Sequence, residues 1–420
     1  MLANVSCYYP SIRRVWKRDF QRRCTVKCAP LFRIRPPLGG LFLLSFCWRF
    51  FTIEKRRVIC ILVAAIKDGD LFYLTRPYIK EELKAVKSNM QFFCPTCGSP
   101  VILKIGEVKL PHFAHKTLSY CDSYSEPESS LHLQGKTLLY QFFSSKTSTV
   151  ELEKYFPAIR QRADLLVDRH TAIEFQCSPI PAAQIAARSL GYTQVGVPSV
   201  WIGGLGKPLA EGIQQLKLAE WKKEMLQRKQ QCPYLIMYAP EENRFYYYSN
   251  LIFISGTQWI GKVKSLDASR QRFPFAVPKR VTEKEFETIY SLFYQTRKKF
   301  ISSQYYAKNR MQNPFWRSCY ELQLDIRRLP DAIGVPVKNA EIIFCNSVLW
   351  QMQAIEATQK GISVTSLVQS GKIPVHHRAA AKEAEALLES YLSLYDKLKG
   401  KSNGQAGFMN LLYDSYCKTL

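Results

Sequence analysis

Alternation of apolar and polar positions first becomes orderly near Val58. There VICILVAAIKDGDLFYL predicts a strand, an Asp-Gly turn and a returning strand. TRPYIKEELKAVKSN reads as a short helix or loop, and PESSLHLQGKTLLYQFFSS as an amphipathic helix with Leu131, Leu138, Leu139 and Phe142 near helical spacing. VELEKYF, RADLLVD and TAIEFQCS are strands, the last two joined as a hairpin. PAAQIAARSLGY is a helix opened by Pro181 and closed by Gly191, and PSVWIGG is a short strand ended by glycines. The order over residues 128–204 is therefore α-β-β-β-α-β. Beyond about residue 210 the pattern changes. KPLAEGIQQLKLAEWKKEMLQRKQQ predicts a charged connecting helix, and PYLIMYAPEENRFYYYSNLIFIS a hairpin around PEEN. From Thr282 onward helical spacing dominates, ending in the strong helix AAAKEAEALLESYLSLYDKLK.

The chain has 420 residues, 47% of them apolar, which allows two or three domains and excludes a largely disordered protein. Its formal net charge of +25 points to a polyanionic partner, with nucleic acid ahead of a membrane surface. Residues 1–60 hold 13 Lys/Arg against two acids, but the remainder holds 46 against 32, so the inference survives without the N-terminus. Five of the thirteen cysteines lie in the first 60 residues, and of the rest only Cys94 and Cys97 are closely paired. That usage favours a reducing, cytoplasmic setting over a disulfide framework. Residues 1–57 read as a dispensable or over-extended start, with a targeting or membrane-associating segment as the rival. The apolar run in PLGGLFLLSFCWRFF is too short to span a bilayer and is broken by Arg49, so stable membrane insertion is not expected.

Two constellations carry chemistry. Cys94, Cys97, His112 and His115 form C-x2-C-x14-H-x2-H around a short hairpin. Two thiolates and two imidazoles make a soft donor set suited to tetrahedral Zn²⁺, and a closed site of this kind is structural. The histidine gap is one residue shorter than usual, and Cys121 is the alternative fourth ligand.

The second constellation is Asp164, Glu174 and Gln176 on the RADLLVD and TAIEFQCS strands. A hairpin brings the two carboxylates side by side, where their repulsion favours a cation between them; Mg²⁺ or Mn²⁺ suits such hard oxygen donors. Ile173 and Phe175 alternate with Glu174 and Gln176, which predicts one buried and one polar face. Glu128, His132 and Lys136 share a face of the preceding helix and can lean over the strand pair. The bland reading pairs Asp164 with Arg162 at a strand end and leaves Glu174 on a solvated strand.

The D-x9-E-x-Q spacing, after a helix bearing Glu128 and inside α-β-β-β-α-β, resembles the PD-(D/E)xK nuclease core, with Gln176 where the common pattern has lysine. More closely, CPxCG…PHFAH, ES…HLxGK, RQRADLLV, AIEFQCS and VPSVWIGG resemble the competence protein CoiA-like family over about residues 58–205. The resemblance implies an α/β protein. A zinc-ribbon-like β unit over residues 58–121 precedes a restriction-endonuclease-like αβββαβ core over 122–210, and a mainly α-helical domain follows over 211–420. It implies work on incoming DNA during natural transformation, with recombination or DNA-uptake proteins as partners. It also implies Asp164, Glu174 and Gln176 as active-site positions, with Glu128 as a fourth. The expected enzyme is a Mg²⁺- or Mn²⁺-dependent deoxyribonuclease; the rival is an inactive DNA-binding adaptor on the same fold, favoured by Gln176.

Phosphate contacts are expected from Arg160, Arg162, Arg188 and Lys136. Residues 282–328 interleave cations with aromatics, a pattern that suits either single-stranded DNA or a helical core with a basic rim.

Overall fold

The Asp-Gly turn near the start of the regular pattern places both Asp68 and Gly69 at positive φ, the conformation that reverses a twisted strand pair in two residues. It joins β2 (Ala64–Lys67) to β3 (Asp70–Tyr73) in the computed structural model. The structure describes residues 61–62, 64–74, 79–95, 97–106, 111–116, 129–228, 233–376 and 379–418, and the expectations for residues 1–57, Cys121 and Glu128 lie outside them. With β1 (Ile61–Leu62), β4 (Phe92–Phe93), β5 (Pro100–Lys104) and β6 (His112–His115), these strands form a six-stranded sheet in the order β1-β6-β5-β4-β2-β3. Helix α1 (Lys80–Asn89) lies between β3 and β4 in sequence and buries Leu83. Phe92 and Phe113 pack in the core of this unit with ring centroids 4.8 Å apart.

The α-β-β-β-α-β order follows, as α2 (Ser130–Ser144), β7 (Val150–Phe156), β8 (Gln161–Val167), β9 (Thr171–Gln176), α3 (Ala182–Gln194) and β10 (Ser199–Gly204). Ser129 caps α2 by accepting the His132 N–H, which satisfies one of the donors a helix start leaves open. β7, β8 and β9 pair antiparallel, and β10 then joins β9 in parallel after the α3 crossover. Leu133, Leu139 and Phe143 of α2 pack on Leu165, Ile173, Phe175 and Ile202. Each such side chain contributes about 1.5–3 kcal/mol on burial. Gly135 permits the approach: a Cβ there would lie 2.0 Å from the Phe175 ring.

The sheet does not stop at residue 210. β11 (Gly212–Lys217), β12 (Leu235–Ala239), β13 (Arg244–Ser255) and β14 (Gln258–Asp267) extend it to eight strands, ordered β11-β14-β13-β12-β10-β9-β8-β7. The PEEN hairpin forms as predicted, as β12 and β13. The connecting helix predicted over 207–231 does not. Its first half is β11, laddered to β14, and among its described residues only the five of α4 (Glu220–Glu224) are α-helical. Ile213 and Leu216, three residues apart, fit a helical face rather than one side of a strand. The β14 edge overrides that spacing, because Leu216 packs over Gly261, where a Cβ would meet it at 2.9 Å.

Beyond the sheet the chain is helical, as predicted: α5 (Glu283–Gln304), α6 (Pro314–Glu321), α7 (Ser347–Gln359), α8 (Val364–Gln369), α9 (Ala381–Leu398) and α10 (Ala406–Tyr413). Thr282 and Glu285 start α5 with a reciprocal capping box. These helices share one core with the far strands, where Phe286, Ile289 and Trp350 join Phe253, Trp259 and Ile260. Among the described residues, no helix is long and apolar enough to cross a membrane.

Candidate active site and metal centre

Strand register aligns three carboxylates across β7, β8 and β9. Glu153 falls between the pairs Leu152–Leu165 and Lys154–Ala163, which sets it opposite Asp164. The β8–β9 ladder ends at Leu165 and Ile173, and one residue further Asp164 comes opposite Glu174. At that point the Asp164 carboxylate accepts the Phe175 N–H at 2.8 Å. Like charges in adjacent register repel, so this row requires cations.

The protein supplies them. The Lys136 ammonium bonds the Glu153 carboxylate and lies 3.5 Å from Asp164 Oδ1. Arg162 Nε is 2.7 Å from the other Glu153 oxygen. His132 Nε2 is 3.6 Å from Asp164 Oδ2, its ring stacked on Phe175. Across the sheet, Arg188 and the Tyr192 hydroxyl of α3 both donate to Glu174 Oε1, and Arg188 also donates to the Arg162 carbonyl at 2.9 Å. Burial raises the Asp164 pKa, but Lys136, His132 and the Phe175 N–H more than offset it and hold the carboxyl well below its usual range. Glu174 moves the other way: burial and the neighbouring Asp164 charge raise its pKa against the opposing pull of Arg188 and Tyr192. Burial and Glu174 together push the Tyr192 phenol far up, keeping it a hydrogen-bond donor.

Several site expectations change. Glu174 is not on a polar face: it is 3% exposed, beneath α3. Lys136 is fully buried and has no surface to offer a phosphate. Arg162 and Arg188 are turned to Glu153 and Glu174, which leaves Arg160 as the exposed member of the expected phosphate-binding set. Gln176 lies at the strand end, its amide donating to the Ser178 carbonyl at 2.8 Å. Two residues escaped the sequence reading. Tyr192 was visible only as the end of a helix. Glu153 looked like an ordinary polar residue of VELEKYF, yet it is 4% exposed and has φ of 57°, a backbone setting that non-glycine residues rarely adopt and that no sequence signal marks.

In the smaller sheet, the Cys94 N–H donates to Ser99 O at 2.9 Å and the Gly98 N–H to Cys94 O at 3.0 Å, closing the CPTCG knuckle with Gly98 at φ of 67°. The ligand atoms of Cys94, Cys97 and His115 lie within 4.8 Å of one another. Cys97 Sγ is 3.3 Å from His115 Nε2, near the roughly 3.5 Å that a tetrahedral Zn²⁺ imposes with bonds of about 2.3 and 2.0 Å. His112 is not in this group, contrary to expectation. It stands three residues from His115 on one strand, and side chains an odd number apart face opposite sides.

The large mixed sheet thus carries carboxylates in register on neighbouring strands, and the small sheet a separate Cys/His cluster. The family model described as "Competence protein CoiA, nuclease-like domain" matches residues 128–282. That described as "Competence protein CoiA, N-terminal domain" matches residues 76–124. Competence protein CoiA of Bacillus subtilis (strain 168) is 28% identical over 329 residues, covering 75% of this chain and 85% of that protein. Over these segments the chain is similar to the CoiA-like family. No solved structure matches it.

Proposed function

We propose that the chain is a competence-related, DNA-processing protein of the cytoplasm. Its nuclease-like domain, a restriction-endonuclease-like core, hydrolyses phosphodiesters of incoming DNA with Mg²⁺ or Mn²⁺. The observation that carries this reading is the register of Asp164 and Glu174 at the open end of a strand pair, with their pKa values pushed apart. Asp164 is ionised across the physiological range and offers hard oxygen donors; Glu174 faces it from the next strand. A divalent ion there would supply Lewis-acid polarisation of the phosphodiester and a lowered pKa for an attacking water. Lys136 holds Asp164 and Glu153 in place, and Arg188 with Tyr192 orients Glu174. Cys94, Cys97 and His115 would hold a structural Zn²⁺, with a fourth ligand outside the described residues and Cys121 the candidate. DNA and recombination or uptake proteins are the partners this role requires.

The test is cleavage of single-stranded and duplex DNA by the full-length protein with Mn²⁺ or Mg²⁺. Wild type should cleave, and Glu174→Ala should lose at least about 100-fold of that activity, as expected when a general catalytic group is removed, while still binding DNA. If wild type cleaves no DNA form with either metal, the enzyme reading fails. A second reading, an adaptor without turnover, has its own support. Gln176, at the motif's lysine position, spends its amide on Ser178, and all three carboxylates already have protein cations beside them.

A further inference from the structure

Four of the nine exposed large apolar side chains among the described residues fall within residues 305–320: Tyr305, Tyr306, Met311 and Tyr320. Tyr306, Met311 and Tyr320 are each more than 80% exposed. The 31 residues 298–328 carry seven Lys/Arg against two acids. Both acids are engaged, Glu321 with Lys360 at 2.6 Å and Asp325 with the Arg327 N–H at 2.9 Å.

The corner between α5 and α6 is built rather than loose. Asn313 caps α6 through the Phe315 and Trp316 N–H groups, and the Trp316 indole donates to the Gln304 carbonyl at 2.9 Å. Arg310 lies over the Trp316 ring at 4.6 Å and donates to the Tyr305 carbonyl at 3.0 Å. Tyr305 meets the same indole edge-on at 6.2 Å. Tyr320 follows Trp316 by four residues and so stands on the same face of α6. Tyr305, Arg310 and Trp316 thus brace one another, Tyr306 and Tyr320 stand exposed beside them in the sequence, and the corner lies outside both family matches. Monomeric surfaces rarely gather exposed apolar side chains this closely unless they bind something. A single strand answers both features at once, since it offers a base to each tyrosine and a phosphate to each cation.

We propose that the α5–α6 corner binds single-stranded nucleic acid, with Tyr306 and Tyr320 stacking on bases and Lys308, Arg310 and Arg317 following the phosphates. The inference rests on the DNA-processing reading for its partner but not on catalysis. It is tested by fluorescence anisotropy of a labelled thymidine oligomer, and of a duplex of equal length, with the full-length protein. Tyr306→Ala and Tyr320→Ala should each weaken binding of the oligomer by roughly 5- to 150-fold. Duplex binding should change little, and Tyr306→Phe should bind as wild type. Lys308→Ala should lower the slope of log affinity against log salt by about 0.7. Circular dichroism of the exposed-site variants should match wild type. Unchanged oligomer binding in both tyrosine variants overturns the proposal, as does an equal loss for oligomer and duplex. If wild type cleaves no DNA form with Mg²⁺ or Mn²⁺ while oligomer binding still depends on Tyr306 and Tyr320, the nuclease reading alone fails.

Discussion

The row of carboxylates in the large sheet and the thiol cluster in the small one solve opposite problems. Glu153, Asp164 and Glu174 are carboxylates taken out of water, and each has a compensating cation on a neighbouring element: Lys136, Arg162 or Arg188. Cys94, Cys97 and His115 instead turn their ligand atoms on one another, all within 4.8 Å. Thiols gathered this closely gain most of their mutual stabilisation when deprotonated around a cation. The large sheet should therefore fold without metal and the small one should not. A divalent ion at Asp164 and Glu174 would compete with cations already present, whereas zinc at the knuckle would complete the unit.

The largest effect expected is on the small sheet. Chelation of the full-length protein, or Cys94→Ser, should abolish hydrogen-exchange protection across β4 to β6 while β7 to β14 keep theirs. Structural zinc contributes an apparent 10–16 kcal/mol or so to small metal-dependent units. Retained protection in β4 to β6, or the absence of about one zinc per chain in the untreated protein, would sink the contrast.

Next comes Arg188→Ala, which strands Glu174 in the sheet. Breaking a buried pair from one side costs about 3–5 kcal/mol, and the lower end applies because the Arg188 side chain keeps 23% of its exposure. Adding Glu174→Gln should recover most of that loss in urea denaturation, since it removes the uncompensated charge. No recovery would mean that Arg188 acts by packing on Trp201, whose ring centre lies 5.9 Å from it.

The smallest and most discriminating effect is with pH. Asp164 titrates lower in the folded protein, so its stabilisation is present above its ordinary pKa of 3.8 and is lost as pH falls below that. Glu174 titrates higher, so its contribution is favourable below its ordinary 4.5 and is lost as pH rises past it. The stability gap between wild type and Asp164→Asn should shrink on acidification below about pH 4. The Glu174→Gln variant should instead gain on wild type as pH rises above the ordinary 4.5. Parallel profiles for the two variants would show that the carboxylates do not share one electrostatic site.

Much of this frame was legible because single elements carry their own period. RADLLVD and TAIEFQCS alternate, Thr282 and Glu285 announce a helix start, and CPTCG makes its own knuckle. The misreadings arose where a distant element decides. GIQQLK carries a helical i, i+3 spacing that its pairing with β14 overrides. His112 and His115 look like a ligand pair until β6 turns them apart. Arg162, Arg188 and Lys136 read as phosphate contacts because sequence shows charge but not burial. Glu153 was hidden most completely, since its role depends on one backbone angle and on register with Asp164.

That glutamate bears on which substitutions this sequence can absorb. On backbone grounds position 153 would accept glycine, which adopts positive φ without strain. On charge grounds it cannot, because Lys136 and Arg162 would then be buried with one carboxylate fewer between them. Substitution at 153 is therefore tied to 136 and 162, three positions scattered over a helix and two strands that must change together or not at all.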